Sequence, residues 1–284
     1  MNPDATLDAL AWSMVITGVI TFFTTLHLTA PYGRYSTAKG WGPLIPARWA
    51  WLIMESPNLF MPWVIAHVYL GHWSNLLTVV TDTRLANGPL LLFYQFHYIH
   101  RDIVYPLVRI NGIHHKPMPA SVMLLAFLYC VWNGFLQSLA LLVVQHYPAS
   151  HLLSWQFGVG FVVFVVGFLI NVRADSTLLS LKAAAITGAG KDDDGDGDGR
   201  KKVSDRYRIP SGGAFELVSA ANYFGEIAEW CGFACACGGS LSSVAFALYT
   251  FSNLAPRAWA HHQWYKKTFL HYPKHRRAII PFVW

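Results

Sequence analysis

Four stripes of polar side chains recur at helical spacing within otherwise apolar sequence. Tyr94, Tyr98, Arg101 and Tyr105 stand at i, i+4, i+7 and i+11, and Asn171, Asp175 and Lys182 at i, i+4 and i+11. Asn222, Glu226 and Glu229 follow at i, i+4 and i+7, and Arg257, His261 and Tyr265 at i, i+4 and i+8. Each set falls on one face of a helix. Ionisable groups are costly in lipid and usually line cavities or pathways. Hydrogen bonding between helices would account for any one of these residues, but four stripes at one depth point to a polar cavity. Glu55 lies apart, in apolar sequence with no basic residue near it. A carboxyl kept from water favours its neutral form, which can donate a hydrogen bond to a substrate oxygen. An acid bonded to a backbone carbonyl is the structural alternative.

The elements that must carry these stripes are set by composition. The 284 residues are 54% hydrophobic, 15% aromatic and only 13% charged, with a mean hydropathy of +0.33. Roughly a quarter of the residues in a soluble domain are charged, so this chain cannot coat a water-facing globule of its size. Disorder over the whole length and a disulfide-stapled fold are excluded by the same figures and by four cysteines in all. Seven stretches are long and apolar enough to span a bilayer: 8–30, 48–70, 86–108, 119–144, 153–173, 215–237 and 240–260. They lack the two-residue alternation of strands. The expected fold is an all-α membrane protein, a single domain over 1–284 with seven transmembrane helices and no Rossmann unit. Residues 185–202, with their Asp/Gly-rich run, read as a mobile cytosolic insertion.

Charge orients the bundle. Of the 21 Lys and Arg, all but Arg84 fall after the first, third, fifth and seventh helices or at their ends. With seven spans these groups share one face, which the positive-inside rule makes cytosolic, leaving the N-terminus outside and the C-terminus cytosolic. The first helix lacks a basic leading region and reads as an anchor rather than a removed signal. The net charge of +6 is thereby a topology signal, and no nucleic-acid partner is expected.

Metal chemistry is not expected either. The 13 His include His97-x-x-His100, His114-His115 and His261-His262, none of which completes a di-iron box. The Asp/Gly run lacks the Glu of a calcium loop. Gly158-Val-Gly160 lacks the third glycine of a dinucleotide fingerprint, and the cysteines lack metal or redox spacing and read as small packing residues.

Several blocks carry a family resemblance: Phe96-HYIHR-Asp102, Asn171-VRAD-Ser176, YRIPSGG at 207–213, SAANYFGEIAEW at 219–230, RAWAHHQWY at 257–265 and HYPKHRRAIIPF at 271–282. In order and spacing they resemble the membrane-embedded steroid 5α-reductases (3-oxo-5α-steroid 4-dehydrogenases), over roughly 190 residues, with a weaker match around Trp51–Pro57. The resemblance implies NADPH-dependent reduction of the C4–C5 double bond of a 3-keto-Δ4 steroid. It implies that Glu55 and Tyr98 polarise the C3 carbonyl. It further implies cofactor binding by Asn171, Asp175, Asn222, Glu226, Arg257, His261 and Tyr265, with Arg101, Lys116, Lys182 and Arg208 as phosphate partners. Met54 stands where relatives often have Gln, and Lys116 and Lys182 where Arg is common. Another enone reductase, acting on a 2-enoyl thioester or a polyprenol-type lipid, and a non-catalytic sterol-binding protein are the alternatives. The membrane would be cytoplasmic in a bacterium and the endoplasmic reticulum in a eukaryote.

Overall fold

A computed structural model describes residues 2–29, 31, 33–36, 39–113, 115–188 and 207–284. Nearly all regular structure in them is helical: α1 (Pro3–His27), α2 (Ala47–Glu55), α3 (Pro57–Leu70), α4 (Asn75–Thr81), α5 (Asn87–Tyr98), α6 (Ala120–Leu139), α7 (Trp155–Gly188), α8 (Ala221–Ala236) and α9 (Leu241–Thr268). Widened π-turns prolong α5 through Ile99–Arg109 and α6 through Ala140–Val144. The two-residue strands β1 (Leu44–Ile45) and β2 (Met118–Pro119) pair antiparallel.

Local chemistry explains several boundaries. At the start of α1 the Asn2 side chain accepts from the Asp4 amide at 3.0 Å and Pro3 takes the first helical position. Between α2 and α3, Pro57 has no amide proton to continue the helix, and the break follows Glu55 directly. Glu55 therefore sits at a joint, not in mid-helix as the apolar stretch 48–70 implied. The sixth stretch begins later than expected, at Ala221, because Gly213–Glu216 forms only a 3-10 turn. The expected insertion at 185–202 begins inside α7, which runs to Gly188; its remainder lies outside the described residues.

Large apolar side chains are found on the outside as well as in the core. Along α1, Leu7, Ala11, Met14 and Gly18 face inward, while Ile16, Val19, Ile20 and Phe23 are exposed. Along α7, Val159, Phe161, Val162 and Val166 are exposed. Large apolar side chains pointing outward suit lipid. Three helical segments, Pro3–His27, Ala120–Val144 and Trp155–Ala185, are long and apolar enough to cross a membrane.

Helices α7 and α8 are held unusually close by glycines seven residues apart on each. A Cβ on Gly160 would lie 2.3 Å from the Ala236 amide nitrogen, on Gly167 2.4 Å from that of Glu229, on Gly225 2.4 Å from that of Asn171, and on Gly232 2.3 Å from that of Phe164. Small residues allow such backbone approach. Gly160, read in sequence only as part of a failed nucleotide motif, is a packing surface. The main core lies where α3, α5, α6, α8 and α9 meet, around Trp230, Tyr94, Phe233, Phe246 and Leu90. The four cysteines are free, Cys130 and Cys237 buried.

Candidate active site

The fold encloses a cavity of about 1510 Å³. Its wall follows α9 from Phe246 to Tyr265, roughly 28 Å of helix axis at 1.5 Å per residue. Phe246, Tyr249 and Leu254 come first on that wall, Arg257 and Tyr265 last. On α6 the lining runs through Val122, Leu125, Ala126, Tyr129 and Cys130. One cavity thus offers both apolar and polar lining, the cations Arg34, Lys116, Lys182, Arg208 and Arg257 coming from loops and helices.

Of the thirteen residues carried over from the resemblance, eleven line this cavity: Glu55, Tyr98, Arg101, Lys116, Asp175, Lys182, Arg208, Asn222, Glu226, Arg257 and Tyr265. Asn171 and His261 stand behind the wall. The Asn171 amide, held by the α7–α8 approach, donates to the Asn222 carbonyl at 3.0 Å and to Glu226 Oε2 at 3.3 Å. His261 stacks on Tyr35, with ring centroids 5.6 Å apart, and has Tyr223 at 6.0 Å.

Arg101, expected as a phosphate partner, lies among acids. Its guanidinium meets Glu55 Oε1 at 3.5 Å, Asp175 Oδ2 at 3.3 Å and Glu226 Oε2 at 3.9 Å. It also lies 4.5 Å from the Trp51 ring centroid and 5.2 Å from that of Tyr105. Asn222 Nδ2 donates to Asp175 Oδ1 at 3.0 Å. Glu55, isolated in sequence, therefore belongs to a knot of three acids around one cation. Glu229, the third member of the α8 stripe, turns away and meets His97 Nδ1 at 2.8 Å, with both side chains buried.

Tyr98 is the other member of the proposed pair. Its hydroxyl accepts from Asn133 Nδ2 at 3.4 Å, and its ring stacks on Trp230 at 5.8 Å. Ring and hydroxyl are thus both located by neighbours, as a preorganised donor requires.

The cationic wall holds residues that spacing did not single out. Arg34 lies 3.9 Å above the Trp264 ring and 5.0 Å from the Tyr265 ring, and its Nη2 donates to the Tyr265 hydroxyl at 3.4 Å. Lys116 Nζ donates to the Arg34 carbonyl at 3.2 Å, and Lys182 Nζ to His115 Nδ1 at 2.9 Å. Arg34 sits in a loop with no periodic pattern, so no sequence signal marked it. Tyr207, within the YRIPSGG block, also lines the cavity.

The loop carrying Tyr207 and Arg208 is tied to the C-terminal segment. Val218 bridges Arg277 in parallel, and Ser219 N donates to the Arg277 carbonyl at 2.8 Å. Ser219 Oγ is hydrogen-bonded to His262 Nδ1 at 2.6 Å and the Tyr272 hydroxyl at 2.7 Å. Buried Arg276 donates to the Pro210 carbonyl at 2.7 Å and to Glu216 Oε2 at 3.3 Å. The Gly212 amide, which donates to Glu216 Oε1 at 2.6 Å, and then Arg276 hold the Glu216 carboxyl below its usual range.

Among the described residues no group of three His, Cys, Asp or Glu is arranged to hold a metal ion; His114 lies outside them.

Comparison with known proteins agrees with the geometry. The family model described as 3-oxo-5-alpha-steroid 4-dehydrogenase matches residues 116–284. The chain is 38% identical over 278 residues to 3-oxo-5-alpha-steroid 4-dehydrogenase 1 of Bos taurus, covering 98% of this chain and 96% of the relative. The human protein of the same name is 36% identical over 280 residues, covering 98% and 95%. Steroid 5-alpha-reductase DET2 of Arabidopsis thaliana is 37% identical over 283 residues, covering 96% and 94%.

Proposed function

The chain belongs to the 3-oxo-5-alpha-steroid 4-dehydrogenase family of oxidoreductases, and from that premise we propose that it reduces the C4–C5 double bond of 3-keto-Δ4 steroids with NADPH, giving 5α products. The observation that carries this reading is the single cavity that joins an apolar wall to a cationic one, with Glu55 and Tyr98 both in its lining.

The donor set suits the cofactor. Arg34, Lys116, Lys182, Arg208 and Arg257 line the cavity, and a dinucleotide with a 2′-phosphate brings about four negative charges for such residues to hold. When bound, NADPH supplies the hydride. Asn171 would act indirectly, by fixing Asn222 and Glu226.

On the protein's side, reduction of an enone builds negative charge on its carbonyl oxygen, and donors fixed in advance toward that oxygen lower the barrier most. Tyr98 donates its hydroxyl proton in a hydrogen bond to that oxygen while Asn133 and Trp230 hold it in place. Glu55 serves as the second donor. In this reading Glu55, one of three acids around the Arg101 guanidinium, carries the proton that it donates. The apolar wall of α6 and α9 excludes water from the ring system.

We further propose the seven-span topology, N-terminus outside. The hydrogen bonds at the helix ends support it. Loops after α1, α5 and α7 meet one another through β1–β2, Lys116 and the C-terminal segment. Those after α4, α6 and α8 meet at the other end through Leu85–Pro148, Ala86–Tyr147 and Tyr147–Cys237. Labelling of introduced cysteines near Arg84 and Lys116 from only one side of the membrane checks this, with equal labelling of both counting against it.

The decisive assay is NADPH consumption by the purified protein with a 3-keto-Δ4 steroid, product configuration being read at C5. A steroid left unreduced while a 2-enoyl thioester is consumed would assign the chain to a different enone substrate. Steroid binding without cofactor oxidation would make it a binding protein.

A further inference from the structure

Tyr129 has a hydroxyl that the proposed chemistry leaves unused. It lines the cavity from α6, beside Ala126 and Cys130. Its ring is fixed by stacking on Tyr249 of α9, centroids 4.2 Å apart and planes 15° apart. Its hydroxyl oxygen is buried and meets no hydrogen-bond partner among the described residues. A buried hydroxyl without a partner is unfavourable, and the cavity lining that Tyr129 shares includes the apolar Val122, Trp230, Phe246 and Leu254. Phenylalanine would stack equally well without that cost. The hydroxyl is therefore explained if a ligand completes it, as donor or acceptor.

Its place on α6 differs from that of the residue that contacts Tyr98. Asn133, one turn further along α6, donates to Tyr98. Tyr129 is thus displaced from that layer by roughly 6 Å of helix axis. An oxygen paired with Tyr129 is accordingly a different one from the carbonyl assigned to Tyr98.

We propose that Tyr129 determines substrate specificity, its hydroxyl pairing with a hydroxyl or keto substituent of the steroid remote from the reduced enone. A site built to hydrogen-bond a substrate oxygen discriminates strongly against the analogue that lacks it, because its own polar group is then left unpaired. This inference rests on the steroid reading above.

The test uses the full chain in detergent with NADPH and two 3-keto-Δ4 steroid probes. One carries no further oxygen, and the other is its 17-hydroxy counterpart, with the 17-keto and 11-hydroxy compounds as additional probes. The quantity read is kcat/KM for each oxygenated steroid divided by that for the unsubstituted one. In Tyr129→Phe, which keeps the stack on Tyr249, this ratio falls about tenfold for at least one oxygenated probe, as loss of one hydrogen bond predicts. A ratio unchanged by the substitution for every probe, with the wild type reducing them all, overturns this inference alone. A wild type that reduces none of them overturns the steroid reading and this inference with it.

Discussion

Tyr98 and Glu55 are held by different kinds of neighbour, and substitution should separate their contributions. Tyr98→Phe removes only the donor hydroxyl, because the ring keeps Trp230. Loss of one donor to a developing oxyanion costs on the order of 10²–10³ in turnover; kcat should fall by that much while the cofactor dissociation constant stays within about twofold. Glu55→Leu keeps much of the bulk but removes the second donor and withdraws an acid from the group around Arg101, and kcat should fall by a similar order. Steady-state kinetics with a 3-keto-Δ4 steroid, paired with cofactor titration, checks both; full activity in either variant removes that residue from the pair. Both residues stood out in sequence as an acid and a phenol in apolar surroundings, and only the family resemblance paired them. Arg101 was visible as a buried cation, but its partners Glu55, Asp175 and Glu226 come from three other helices, and no local spacing reports such pairings. Arg34 was illegible, since its cage of Trp264 and Tyr265 exists only after α9 has packed beside the loop.

Helices were easier to read than the joints between them. Apolar length and 3.6-residue spacing located the long rods, since both are local properties of the chain. The break after Glu55 was marked by Pro57, yet one proline inside a long apolar run is ambiguous, because membrane helices tolerate it. The glycine contacts between α7 and α8 were hidden, as a glycine's use depends on the backbone opposite. They position the site directly, since Asn171 and Asp175 on α7 meet Asn222 and Glu226 on α8 through hydrogen bonds of 3.0–3.3 Å. Gly167→Ala would put a methyl 2.4 Å from the Glu229 nitrogen, and backbone on both sides leaves no flexible group to yield. The expected outcome is overpacking of about 1–3 kcal/mol or more, seen as a lower unfolding midpoint in detergent, together with cofactor binding weakened at least tenfold. Gly158→Ala is the control: its Cβ meets nothing within 4 Å, and replacing a helical glycine with alanine should leave stability equal or raise it by up to about 1 kcal/mol. Equal midpoints for the two variants would show that the close approach does not hold the site.

At the scale of the whole molecule, the C-terminal segment braces a loop on the cationic side of the cavity, although none of its residues after Tyr265 lines that cavity. That loop begins with Tyr207 and Arg208. Arg276 reaches the Pro210 carbonyl and Glu216, Arg277 pairs with Leu217 and Ser219, and Ser219 is locked by His262 and Tyr272. The motifs YRIPSGG and HYPKHRRAIIPF were legible separately in sequence; that one straps the other was not, because some 60 residues and two helices intervene. Arg276→Ala leaves the Pro210 carbonyl and the Glu216 carboxylate without their guanidinium partner and frees the loop at the segment adjoining Arg208. Cofactor should then bind about tenfold more weakly, the cost of roughly one charge-assisted hydrogen bond, while kcat at saturating cofactor changes less than twofold, since Glu55 and Tyr98 lie on other helices. The strap should also respond to acid in one direction only. Glu216 is held below its usual range by the Gly212 amide and Arg276, so its stabilising contribution is complete above the unfolded value of about 4.3 and is lost as pH falls through the lowered folded value. Cofactor affinity attributable to the strap is therefore flat between about pH 6 and 8 and declines only in strong acid, and because half of the Glu216 side chain is exposed the decline is shallow. Cofactor titration at several pH values for wild type and Arg276→Ala, set beside kcat at saturation, reads both effects. A variant that loses kcat as heavily as cofactor affinity would show that the segment braces the catalytic helices themselves and not the loop at the cavity's mouth.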